Sequence, residues 1–177
     1  MYRKGKGKES KLAHLGHAMN ENRNGIIMNI VATEANGTSE REAALDMLEA
    51  LKKTHEIKPK TLGADKGFDD GGFLQDVEAR QIEPQVPLVG EPRDPAKAPK
   101  KDRPNIETRQ RMKARQASEG YRLSQKCRKK VEEVFGWLKT IAGLDRSRVV
   151  GRWKLQQLLE SGAATYNLLR LRKLKPA

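Results

Sequence analysis

Apolar residues along this chain fall into short patterned stretches, each closed by a turn-forming or proline-bearing segment. Residues 11–34 predict two strands joined by the turn cluster Asn20–Gly25. Ile26, Ile27, Met28, Ile30 and Val31 give the second strand its apolar, largely β-branched content. Gly37-Thr38-Ser39 then opens a helix. Ser39 with Glu42 three residues on fits a capping box. Ala44, Leu45, Met47, Leu48 and Leu51 form an apolar stripe at helical spacing, and Lys58-Pro59 ends it. Thr61–Ala64 reads as a brief strand and residues 73–82 as a short helix. Gln85–Val89 reads as an edge strand, because Pro87 cannot donate to a ladder. The helical period returns from Ser124 to Ile141 on Val131, Val134, Phe135, Leu138 and Ile141. It returns again over 153–173 on Leu155, Leu158, Leu159, Ala163, Tyr166 and Leu169. Strands alternating with helices and ending in helices predict a mixed α/β fold.

Composition sets the scale of the core. Leu, Ile, Val and Phe make up about a fifth of the 177 residues against a net charge of +13, so the core is small. Cys127 is the only cysteine, which excludes an intramolecular disulfide and points to a reducing compartment. No apolar run approaches the roughly 20 residues that cross a bilayer, and the basic start lacks the apolar region of a signal peptide. The expectation is a soluble cytoplasmic protein, with no membrane association, that seeks polyanions.

The charge is gathered into blocks. Residues 97–130 carry thirteen Lys and Arg against Asp102, Glu107 and Glu119, and smaller basic blocks lie in the first eleven residues and over Arg170–Lys175. Such blocks resemble an electrostatic footprint for a phosphate backbone, although solubilising tails have the same composition. Pro92, Pro95, Pro99 and Pro104 among basic residues make 90–120 read as an insertion or linker.

Two places could carry chemistry. Asp65 follows a short strand and precedes Lys66-Gly67, an address suited to a metal-ligating carboxylate in an open α/β sheet and equally to an ordinary turn. Arg128, Glu132 and Lys139 stand at i, i+4 and i+11, nearly in line on the helix predicted there. Glu132 then sits at the seam between core and solvent. It could help Asp65 hold Mg²⁺ while Arg128 and Lys139 meet phosphate, or it could simply pair with Arg128. Glu133 points about 100° away and is the weaker candidate.

Gly63-Ala64-Asp65-Lys66-Gly67-Phe68-Asp69 resembles the second-aspartate motif of bacterial insertion-sequence transposases with a DDE nuclease domain. The stretch from Arg128 to Lys139 is similar to the glutamate signature of their IS-four and IS-five groups. Tyr2–Glu9, Gly16–Gly25 and Ala164–Leu168 resemble stretches from the IS-five side. The resemblance implies a ribonuclease H-like mixed sheet with flanking helices and a helical C-terminus. It implies Asp65 and Glu132 as catalytic metal ligands for Mg²⁺, with Mn²⁺ as a substitute. Arg128 and Lys139, with Lys126, Lys129 and Lys130 around them, would contact DNA at transposon ends and target. A homodimer of the full-length enzyme and association with the nucleoid are implied in the same way.

Two features depart from that pattern. The longer glutamate signature has a tyrosine three residues before the arginine, where this chain has Gln125, with Tyr121 off register. The family's first catalytic aspartate lies upstream of the stretch resembled by Tyr2 onward, yet no aspartate precedes Asp46, which falls within the first predicted helix. The expectation is therefore a C-terminal part of a transposase, inactive alone, whose sheet lacks its first, central strand. Residues 1–89 would form the partial core, 90–120 the linker, and 121–177 the helices that carry Glu132. A non-catalytic basic DNA- or RNA-binding protein is the alternative. His14 and His17 on one strand point to opposite faces, which argues against a zinc site with Cys127. Trp137 and Trp153 are expected to pack, with base stacking as their other use.

Overall fold

The first apolar runs pair as a hairpin, as their turn cluster predicts. The computed structural model describes residues 13–174. Its elements are β1 (His14–Asn20), β2 (Ile27–Glu34), α1 (Ser39–His55), β3 (Thr61–Gly63), α2 (Gly71–Ala79), β4 (Glu83–Gln85), α3 (Arg103–Arg115), α4 (Glu119–Arg128), α5 (Lys130–Thr140) and α6 (Arg152–Lys173). The stretch Tyr2–Glu9 and the basic residues before Ala13 lie outside the described residues, as does Lys175. The chain is mixed α/β and divides into two compact units. One takes the described residues up to His55 and those from Lys129 onward; the other is Glu56–Arg128.

In the first unit, β1 pairs antiparallel with β2, with a bulge where the register shifts between Met19 and Asn20. Glu21 organises the turn: its carboxylate accepts from the N–H groups of Arg23, Asn24 and Ile26 at 2.7, 2.6 and 3.2 Å. Gly25 turns the chain at φ 73°, a region that favours glycine. The turn carbonyls are held from outside, by the Lys130 ammonium on Asn22 and Arg23 (2.6 and 2.7 Å) and by Arg170 Nε on Asn24 (2.6 Å). Ile27, Ile30 and Ala32 of β2 share a buried core with Val134 and Leu138 of α5 and with Leu159, Ala163 and Tyr166 of α6.

The free edge of β2 is covered by side chains of α6. Asn167 accepts from the Ile27 N–H at 2.8 Å and donates to its carbonyl at 2.9 Å. Gln156 accepts from the Ala32 N–H at 2.6 Å and donates to the Ile30 carbonyl at 2.9 Å. Two amides thus give this edge the bonds a further strand would give. α1 packs on the hairpin and buries Ala43, Ala44, Met47, Leu48 and Leu51, as its stripe predicts except that Ala43 is inside and Leu45 half-buried. Its cap lies one residue earlier than expected. Ser39 is the first helical residue; Asn36 Oδ1 accepts from the N–H groups of Thr38 and Ser39, and the Thr38 hydroxyl donates to Glu42 at 2.7 Å.

In the second unit, β3 and β4 pair in parallel, and α2 joins them. β4 lies two residues upstream of the expected strand and carries Pro84. Glu83 donates to the Lys60 carbonyl and Gln85 accepts from Ala64, so the ladder runs through the odd residues. The donor that Pro84 lacks therefore falls on the outer edge, where proline is tolerated. Phe73, Leu74 and Val77 of α2 are buried, as are Ile82, Val86 and Met112.

Residues 90–120, expected to be an insertion or linker, contain α3. This helix packs on α2 at Gly71, where a side chain would collide with Asn105. Its Met112 and Thr108 are fully buried. Its basic residues find acids within the unit: Arg111 and Arg115 both meet Glu78 at 2.7 Å, and Lys113 meets Glu91.

Further differences concern helix limits and aromatic residues. The helix expected over 124–141 is two helices, α4 and α5, with Lys129 between them at φ −57°, ψ −20°, close to 3₁₀ values. No glycine or proline marks that place, which coincides with the passage from one unit to the other. Ile141 ends α5 and is 69% exposed, not on the apolar side, and Leu169 is 43% exposed. Trp137 packs edge-on against Tyr166 with centroids 5.6 Å apart, whereas Trp153 is 72% exposed and does not pack.

Candidate active site

Asp65 lies one residue beyond the end of β3, after Ala64, and caps the 3₁₀ turn Lys66–Phe68, its Oδ1 accepting from the Gly67 N–H at 2.7 Å. The residue is exposed. Its neighbours Asp69 and Asp70 are committed elsewhere. Asp69, its side chain 3% exposed, takes a two-pronged bond from Arg109 at 2.9 and 2.8 Å and a third from the Val89 N–H at 2.7 Å. Asp70 caps α2 by accepting from the Phe73 N–H at 2.9 Å. Within the motif, Asp65 is the carboxylate presented to solvent, at the C-terminal end of a parallel strand. Its hard oxygens suit a divalent cation of the Mg²⁺ kind.

Glu132 belongs to the first unit. It lies exposed in the first turn of α5, with Glu133 exposed beside it. Lys139, exposed in the last turn, stands seven residues on and so on the same helical face. Arg128 ends α4 in the second unit, half-buried, with Lys126 exposed two residues before it. The predicted row Arg128–Glu132–Lys139 is therefore drawn from two helices and two units, with Asp65 in the unit of Arg128. Lys129 is exposed. Lys130 spends two of its three donors on the hairpin turn. Asp46 sits exposed on α1. Among the described residues, no group of three or more His, Cys, Asp or Glu side chains is placed to hold a metal ion.

α4 adds a residue that sequence reasoning noted only as a departure. Gln125 Nε2 donates to the carbonyl of Gln85 at 2.5 Å and reaches that of Ala64 at 3.4 Å. Tyr121 and Arg128 share its helical face at i−4 and i+3. Burial pushes the Tyr121 phenol pKa up, against the opposing pull of the Arg128 charge. Arg109, also missed, holds Asp69 and the Val89 carbonyl. The one available signal was a single arginine among several in a stretch that reads as a linker, which does not single it out.

Burial alters the basicity of two further groups. The His17 pKa is lowered because its ring is buried, with Nε2 2.7 Å from Thr33 Oγ1. Burial alone would raise the Glu78 pKa, but hydrogen bonds and charges from Arg111 and Arg115 outweigh it and leave it lowered. Among the described residues no helix is long and apolar enough to cross a membrane.

Residues 2–168 match the family described as Transposase DDE domain. No curated protein and no solved structure matches the chain.

Proposed function

Because the chain belongs to the family of transposase DDE domains, matched over residues 2–168, we propose that Asp65 and Glu132 are the metal-ligating acids of a DNA transposase. The family match over nearly the whole chain carries the reading of function. The exposure of Asp65, beside two aspartates already bonded within the fold, supports the choice of residue. DNA is the partner. Arg128 and Lys139, with Lys126 and Lys129, hold phosphates at the transposon ends and the target, where guanidinium and ammonium groups bind anionic oxygen. Lys130 serves the hairpin turn first. Divalent ions, Mg²⁺ with Mn²⁺ as a substitute, supply activation of water and then of a DNA 3′-hydroxyl for in-line displacement. The setting is the bacterial cytoplasm, and the complete enzyme works as a homodimer.

The finer architecture is a ribonuclease H-like sheet whose first strand brings the first acid. These residues supply two of the three acids, since no aspartate precedes Asp46 and Asp46 lies on a helix. Alone they bind DNA without cutting it. The test is nicking of a supercoiled plasmid in Mg²⁺ or Mn²⁺. The 177-residue chain is expected to leave it intact, and fusion of an upstream aspartate-bearing strand to restore nicking. Glu132→Gln and Asp65→Asn then abolish it, while Glu133→Gln has little effect. Metal-dependent nicking by the chain as it stands, lost on Asp65→Asn, would show that another acid completes the site. Nicking retained by Glu132→Gln in the fused protein would remove Glu132 from it.

A further inference from the structure

We infer that Gln125 is a positioning residue for Asp65, acting through the peptide that joins Ala64 to it. The inference rests on the reading of Asp65 as a metal ligand. The strands that present Asp65 are only three residues long, and so short a parallel pair fixes its ends poorly. α4 packs on both strands at their C-terminal ends. A side chain at Gly63 would stand 2.7 Å from Ser124 Oγ, so the helix approaches the strand where glycine permits it. From the next position, the two hydrogens of the Gln125 amide face two carbonyls. One is that of Gln85, which also accepts the Ala64 N–H; the other is that of Ala64 itself.

The Ala64 carbonyl and the Asp65 nitrogen belong to one planar peptide, so holding the oxygen holds the nitrogen. Beyond it, the Gly67 N–H fixes Asp65 Oδ1. The carboxylate is thus restrained from behind by α4 and from ahead by its own turn. Metal ligands tolerate displacements of only a few tenths of an ångström. At the position where the resembled signature has tyrosine, this chain keeps a side chain that donates to the strand ends.

The test uses the full chain, ¹⁵N-labelled, with Mn²⁺ as the probe. Gln125→Glu keeps the shape of the side chain and removes its donor; Gln125→Ala removes both. Each is expected to speed exchange of the Gly67 amide without metal by about fivefold to tenfold, and to weaken Mn²⁺ broadening of the Asp65–Gly67 amides by a similar factor. The Leu74 and Val77 amides of the core should exchange as in the parent. Asp65→Asn should abolish the broadening. If both Gln125 variants leave Gly67 exchange unchanged, or speed Leu74 and Val77 equally, the inference is overturned. If the parent shows no broadening, or Asp65→Asn keeps it, the reading of Asp65 as a ligand fails instead. The metal-free exchange then still decides whether Gln125 holds the turn.

Discussion

Between Asp65 and Asp70, burial and hydrogen bonding sort three chemically identical carboxylates into an ion-pair partner, a helix cap and a solvent-facing acceptor. The motif picks out Asp65 in the sequence, but the task of Asp69 depends on Arg109 and Val89, far along the chain, and that of Asp70 on the Phe73 N–H. The same sorting sets two pH responses. The Glu78 pKa is lowered in the folded state, where Arg111 and Arg115 bond the charged form. Its contribution is complete above the ordinary carboxylate value of about 4.5 and is lost as pH falls through the lowered one. Melting temperature followed from pH 7 to 3 should drop along an acid limb, and Glu78→Gln should flatten that limb while lowering stability at pH 7. His17 acts in the same direction for a different reason, because burial disfavours its charged form. Its folded form resists the proton that the unfolded chain accepts near 6.5, so stability is full above that value and declines below it. A fall in melting temperature between pH 7 and 5.5, absent in His17→Gln, is the expected result. An equal fall in the variant would assign the step to another group.

Elements with a clear period were legible in the sequence: the hairpin, α1, α2 and α6 stand within a few residues of their expected places. Others were not, for identifiable reasons. α3 presents only Thr108 and Met112 to the core and surrounds them with arginines whose acids lie on other segments, so its sequence reads as a solvated basic stretch. β4 contains a proline that its place in the ladder excuses. The division at Lys129 has no breaker residue, and it reflects the passage between units rather than any local preference. α3 as a core element makes a direct prediction: Met112→Ala, which empties a fully buried position, should cost about 2–5 kcal/mol in urea unfolding. A loss below 0.5 kcal/mol would return residues 103–115 to the role of linker.

For the molecule as a whole, a net charge of +13 overstates the surface available to DNA. Arg109, Arg111, Lys113 and Arg115 meet acids of their own unit, whereas Lys97, Lys100 and Lys101 are exposed ahead of α3. Changing these three lysines to glutamine should lower the slope of log K against log salt by up to about 2.7 for duplex DNA, without loss of stability. An unchanged slope would place the phosphate contacts elsewhere. Another whole-molecule property follows from the amides on β2. A sheet that extends without limit needs two receptive edges, one on each flank. Among the described residues, Asn167 and Gln156 occupy one flank of the hairpin, so copies joined edge to edge through it meet β1 to β1. That contact is two-fold symmetric and consumes both remaining edges at once, so each such association stops at a pair and cannot propagate into a filament.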